Sequence, residues 1–135
     1  MNIQLSQHKK WVLLMVILNI GVSLFHYIHN IVFLPHYHEP AWITPPLIDS
    51  VWLIMTPFSC IGYLMLQRNK TQIAYILFYI YCGLSSLVLG HYLVTPIWTL
   101  SLTINFIIWL EFLMALAFAG YILFLQRYST NNLSS

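Results

Sequence analysis

Read for its alternation of apolar and polar positions, the chain consists of four long apolar runs separated by short breaks. The runs lie at about 11–28, 47–66, 72–94 and 97–125, and none shows the period of two expected of a barrel strand. At 1.5 Å of rise per residue each reaches roughly 27 Å or more as a helix, enough to cross a hydrocarbon layer of about 30 Å. Lipid offers the backbone no hydrogen-bond partner, so a spanning segment that is not a barrel strand has to be helical. The pattern predicts an all-α membrane protein, a four-helix transmembrane bundle forming one domain over residues 1–135. The fourth run is longer than the layer and should tilt or project from it.

Composition sharpens this picture. Only 6% of the residues are charged and 60% are hydrophobic, against about 25% charged in an ordinary soluble domain. A nucleic-acid binder needs a basic face and a disordered chain lacks apolar residues; neither fits, nor does a water-soluble globule. Cys60 and Cys82 lie in apolar runs and form no CxxC, so neither a disulfide framework nor a zinc knuckle is indicated. The basic residues set the expected orientation. Lys9 and Lys10 precede the first run, Arg68 and Lys70 separate the second from the third, and Arg127 follows the fourth. The other two loops have no Lys or Arg, so the positive-inside rule predicts a multi-pass protein of the cell (inner) membrane with both termini cytoplasmic. Trp11, Tyr75 and Tyr128 fall at the expected inner boundary, and Tyr27, Trp42, Tyr92 and Trp98 at the outer one. Lys9-Lys10 and the first run also have features of a secretory leader, with Gly21 and Ser23 as small residues before a cut. The run continues through Phe25, however, and its removal would leave the basic loops on opposite sides, which favours a span.

The two halves of the chain echo each other. Phe25-His26-Tyr27-Ile28 ends the first run, and Gly90-His91-Tyr92-Leu93 ends the third. Trp52, Gly62-Tyr63 and Gln67-Arg68 follow in order in the second run, as Trp109, Gly120-Tyr121 and Gln126-Arg127 do in the fourth. This order predicts a duplicated hairpin, 10–70 and 71–128, related by a two-fold axis along the membrane normal. His26 and His91 should then lie at equal depth, facing each other. From His26 to Trp52 is 26 residues and from His91 to Trp109 is 18; the surplus lies in the first outer loop, 29–46. An insertion rich in ligand-type side chains on one face is where function is expected.

That outer face collects His26, His29, His36, His38 and His91, with Glu39 beside them, and these six are the candidate metal ligands. His26 and His29 share a helix face, and Pro35 and Pro40 stiffen the loop carrying His36-Tyr37-His38-Glu39. Neutral imidazole suits zinc, copper, iron and nickel, although HxxH and HxHE do not match the HExxH type of metal signature. Two histidines at matching depth could also be the axial ligands of a single haem b. The leading expectation is therefore an outward-facing His/Glu cluster that binds a transition metal ion or one haem.

Glu111 is the other outlier, fourteen residues into the fourth run and thus near the bilayer midplane. An ionised carboxylate there costs roughly 2.5 kcal/mol or more, so it should face the interior and be protonated or partnered. Asn19, Ser23, Ser85 and Ser86 are the candidate donors. Asn19, Ser23, His26 and Asn30 form a polar stripe on the first helix. With Asp49 and Glu111, Asn19, Ser23 and Asn30 form the candidate contacts for the polar end of a lipophilic ligand. Ala115 with Ala119 and Ser86 with Gly90 are small pairs that allow close helix approach, Pro57 should kink the second helix, and the methionines pack. No Gly-rich phosphate loop, nucleophile elbow or Ser-His-Asp arrangement identifies a reaction.

Four short spans, a long first outer loop, and Glu39-Pro40-Ala41-Trp42 leading into a proline-containing second span resemble the EXPERA proteins, the sterol-isomerase-like membrane family. The likeness covers about a third of the chain and implies a lipophilic ligand (a lipid, sterol or quinone-like molecule) held between the helices; it transfers no site residue. Three alternatives thus stand: a metal or haem protein, a lipophilic-ligand bundle, and an accessory subunit packing in a larger membrane complex or homo-oligomer.

Overall fold

The computed structural model describes residues 2–131, with side chains from His8 to Tyr128. It contains four long helices, α1 (Asn2–Val32), α2 (Pro45–Gln67), α3 (Thr71–Ser86) and α4 (Leu102–Asn131). A 3-10 turn, Leu87–Gly90, and a last helical turn, His91–Val94, prolong α3. Four spans, His8–Val32, Pro45–Gln67, Thr71–Val94 and Leu102–Tyr128, are long and apolar enough to cross a membrane, and no strand occurs among the described residues. Each helix packs on two neighbours in the ring α1–α2–α3–α4, which leaves α1 and α3 facing each other across the bundle.

Local chemistry sets the boundaries. Thr44 is extended and α2 starts on Pro45-Pro46, where a missing N–H and a fixed φ suit a first turn. Asn69 takes the left-handed conformation at φ 59° after the end of α2. There the Asn69 N–H donates to the Leu66 carbonyl at 3.1 Å and the Lys70 N–H to that of Met65 at 2.9 Å, a Schellman stop. The Lys9 ammonium donates to Asn69 Oδ1 at 3.1 Å, fastening α1 to this turn at the basic end of the bundle.

The fourth helix begins later than its apolar run. After Pro96 the chain makes a 3-10 turn, Ile97–Thr99, and Leu100 is extended. The Asn105 amide donates to the carbonyls of Ile97 (2.9 Å) and Leu100 (3.2 Å), while Ser101 Oγ accepts the Ile104 N–H at 3.3 Å. Asn105 and Ser101 thus hold this bend and cap the new helix. Glu111 is therefore nine residues into α4, roughly 13 Å along it, and short of the middle of its span.

The inward faces follow heptad spacing. On α1 the buried positions are Val12, Val16, Asn19, Ser23, His26 and Asn30; on α4 they include Ile104, Ile108, Glu111, Ala115, Phe118 and Ile122. Steps of four and three keep one seam facing the partner helices. Toward the basic end that seam is apolar, with Val12, Val16, Leu66, Phe78, Phe118 and Ile122 in one core cluster. Toward the opposite, histidine end it turns polar. Gly62 lets α3 approach α2 closely, since a Cβ there would lie 2.8 Å from the Phe78 ring. Its sequence counterpart Gly120 has open space around the same position.

Candidate functional site

The site is built at the histidine end from α1, α3, α4 and the loop between α1 and α2. His26 and Glu111 are both buried, and the Glu111 carboxylate meets His26 Nδ1 directly. The Ser85 hydroxyl donates to the other carboxyl oxygen at 3.0 Å. His91 has a carboxylate of its own: Glu39 reaches in from the loop and its oxygen contacts Nδ1. The two imidazoles meet edge to face with ring centres 5.4 Å apart. Asn30 Nδ2 lies 3.5 Å from His91 Nε2, the outer limit of a hydrogen bond.

The 3-10 turn explains how His91 gets there. From Ser85 to His91 an unbroken α-helix would turn the two side chains about 120° apart. Tightening four of those steps to 3.0 residues per turn brings them to within about 40°. Cys82, Ser85 and Val88 are buried at intervals of three, and His91 continues the row. Beside the turn, Ser86 donates to the Cys82 carbonyl at 2.7 Å, a back-bond that favours helix bending. Of the three serines expected as Glu111 donors, Ser85 makes the contact, Ser86 serves the backbone and Ser23 Oγ has no hydrogen-bond partner.

The loop divides the histidines. Leu34–Tyr37 is a 3-10 turn and His38 is left-handed at φ 53°. Tyr37 is 1% exposed, whereas His36 and His38 are exposed. The motif His36-Tyr37-His38-Glu39 therefore sends its imidazoles to one side and its phenol and carboxylate to the other. The Tyr37 ring packs against His26, His29 and His91 with centres 6.2, 5.8 and 5.4 Å away. Its hydroxyl is 2.8 Å from His29 Nδ1, and Thr95 Oγ1 donates to the carbonyls of Tyr37 and His38 at 3.3 Å. Burial, with the Glu111 and Glu39 carboxylates adding to it, pushes the Tyr37 phenol well above its ordinary pKa. It therefore remains a proton donor.

Inside this partition is a cavity of about 450 Å³ between α1, α2 and α3. Its walls are largely apolar, with Trp42, Ile43, Leu47, Val51, Leu84 and Val88; its polar lining is His26, Asn30, Glu39, Ser85 and His91. His26 Nε2 and Asn30 Oδ1 are buried without a hydrogen-bond partner, as are Ser23 Oγ, Trp52 Nε1, Thr56 Oγ1 and Tyr81 Oη. Such atoms each carry a desolvation penalty of roughly 1–3 kcal/mol unless something pairs with them.

The expected residues thus separate into groups. His26, His91, Glu39 and Glu111 converge, while His29, His36 and His38 lie beyond Tyr37. Asn19 is buried but its amide donates to the Met15 carbonyl of its own helix at 2.9 Å. Asp49 is exposed on α2 and is not part of the cavity lining. Among the described residues no three His, Cys, Asp or Glu side chains are grouped to hold a metal ion. A haem does not suit this arrangement: the two ring centres are 5.4 Å apart, leaving no slot for a macrocycle between them. Tyr37, Thr95 and the His26–Glu111 pairing were not foreseen from sequence; the capping signal Ser101-x-x-x-Asn105 could have moved Glu111 toward His26. No family model, curated protein or solved structure matches this chain.

Proposed function

We propose that this protein binds a lipophilic molecule between its helices, with the molecule's polar end against His26, Asn30 and His91. The observation that carries this reading is the apolar-walled cavity of about 450 Å³ whose few polar lining residues, His26, Asn30, Glu39, Ser85 and His91, gather at one end of the bundle. Its size and its sparse polar groups are those of a small-molecule site. The apolar core toward the basic end argues for a chamber reached from one side rather than a conduit through the bundle. The two His–carboxylate pairs hold their rings in fixed orientation around it. In this reading the basic end is cytoplasmic and the chamber opens under the outer surface of the cell membrane. The diagonal placement of α1 and α3, with His26 touching His91, supports descent of the two hairpins from one ancestral unit.

Mass spectrometry of organic extracts tests this reading. Wild-type protein purified in a sugar detergent should carry a lipophile at near one per chain, and Val51→Trp, which fills the cavity from its wall, should lose it. Equal amounts on both proteins would refute the reading. A second reading keeps a transition metal at the two histidines. It is favoured by the carboxylate behind each Nδ1, an arrangement common around metal-bound imidazoles. Elemental analysis finding one metal per wild-type chain, absent from His91→Gln, would replace the first reading with the second.

A further inference from the structure

On the far side of Tyr37 is a second cavity, of about 490 Å³, between the α1–α2 loop and the start of α4. Its polar lining is His29, His36, His38, Thr99, Ser101 and Thr103, and it contains no acidic side chain. This is the opposite of the inner chamber, where Glu39 and the Glu111-bound imidazole dominate. The same loop produces both characters. Glu39 follows His38 directly, yet its carboxylate is turned inward to His91, so the outer cup keeps the imidazoles and loses the acid.

Hydrogen-bond bookkeeping makes the cup a donor site. Tyr37 retains its proton and His29 Nδ1 is its acceptor within reach, which puts the His29 proton on Nε2. Ser101 Oγ accepts the Ile104 N–H, so its own hydrogen stays available. Thr103, His36 and His38 add further donors, and imidazole gains a second one whenever it is protonated. The apolar rim is continuous with lipid-facing surface: Phe33, Val32 and Leu102 are exposed next to the cup.

We propose that this cup binds a phosphate-type oxyanion at the membrane boundary, independently of the ligand in the inner chamber. A phospholipid supplies that chemistry from its head group, its acyl chains lying along α1 and α4; free phosphate supplies it from water. The two sources share the donors but differ in the apolar rim.

The test uses full-length protein in a phosphate-free sugar detergent. Native mass spectrometry would follow a short-chain phosphatidylglycerol and the matching diacylglycerol, and phosphorus NMR line broadening would follow inorganic phosphate. The expected result is binding of the phospholipid over diacylglycerol, weakened about tenfold or more in His36→Asn/His38→Asn as two donors are altered. Broadening by inorganic phosphate that the double variant abolishes would assign the free ion as well. Both residues are exposed, so the variant should fold and retain the inner ligand of wild type, which separates this test from that of the inner chamber. Diacylglycerol binding as tightly as phosphatidylglycerol, unchanged phosphate binding by the double variant, or no binding of either phosphate compound would overturn the proposal.

Discussion

The pair most exposed to experiment is His26–Glu111. Replacing Glu111 with Leu strands two buried polar groups, His26 Nδ1 and the Ser85 hydroxyl, which both have the carboxyl as partner. At roughly 1–3 kcal/mol for each orphaned group, Glu111→Leu should cost about 3–5 kcal/mol. His26→Leu leaves the buried carboxyl with Ser85 alone and belongs in the same range, about 3–5 kcal/mol. In the double variant both polar groups are gone, and Ser85 can turn to a backbone carbonyl of its own helix as Ser86 does. The double variant should therefore cost only about 1–2 kcal/mol, leaving a coupling energy of at least about 4 kcal/mol. Reversible unfolding of all four proteins in mixed sugar-detergent and dodecyl sulfate micelles, read by tryptophan fluorescence, gives the cycle. Effects that add to within about 0.5 kcal/mol would mean that the two side chains act independently, and the description of the site would be wrong.

Other perturbations probe the scaffold and the loop. Gly62→Ala should destabilise by about 1–3 kcal/mol through its clash with the buried Phe78 ring, whereas Gly120→Ala should change stability little, both read in the same unfolding assay. At the left-handed turn after α2, Asn69→Val should cost about 1–2 kcal/mol and Asn69→Gly far less. Thr95→Val removes the hydroxyl that holds the Tyr37 and His38 carbonyls; cleavage within residues 33–44 by an added protease should accelerate severalfold while the helices stay intact. A cysteine placed at Pro35, in a chain lacking Cys60 and Cys82, should react with a membrane-impermeant maleimide added to intact cells. One placed at Lys70 should react only after lysis, and the reverse pattern would invert the proposed orientation.

The four spans were legible because lipid imposes a simple rule: long apolar runs have to satisfy their own backbones. The polar stripe on α1 was equally legible, since steps of three and four place Asn19, Ser23, His26 and Asn30 on one face whatever that face meets. What the pattern could not convey was where a helix starts inside an apolar run. Residues 97–101 look like membrane span by composition, yet Pro96 and the Asn105 amide hold them as a bend. That offset moved Glu111 toward His26. The helical periodicity of α3 also misplaces His91, because the 3-10 turn shifts its azimuth. The loop was hardest to read: His36, Tyr37, His38 and Glu39 form one cluster in sequence, but His36 and His38 line the outer cavity, Glu39 lines the inner one, and Tyr37 packs among the histidine rings between them.

Ligand density in the inner chamber is the decisive measurement. In a high-resolution structure of the protein in lipid nanodiscs, an elongated molecule should lie between α1, α2 and α3. Its polar end should lie about 3 Å from a polar atom of His26, Asn30 or His91. A chamber closed by its own side chains, or one holding only water beside those residues, would contradict this reading.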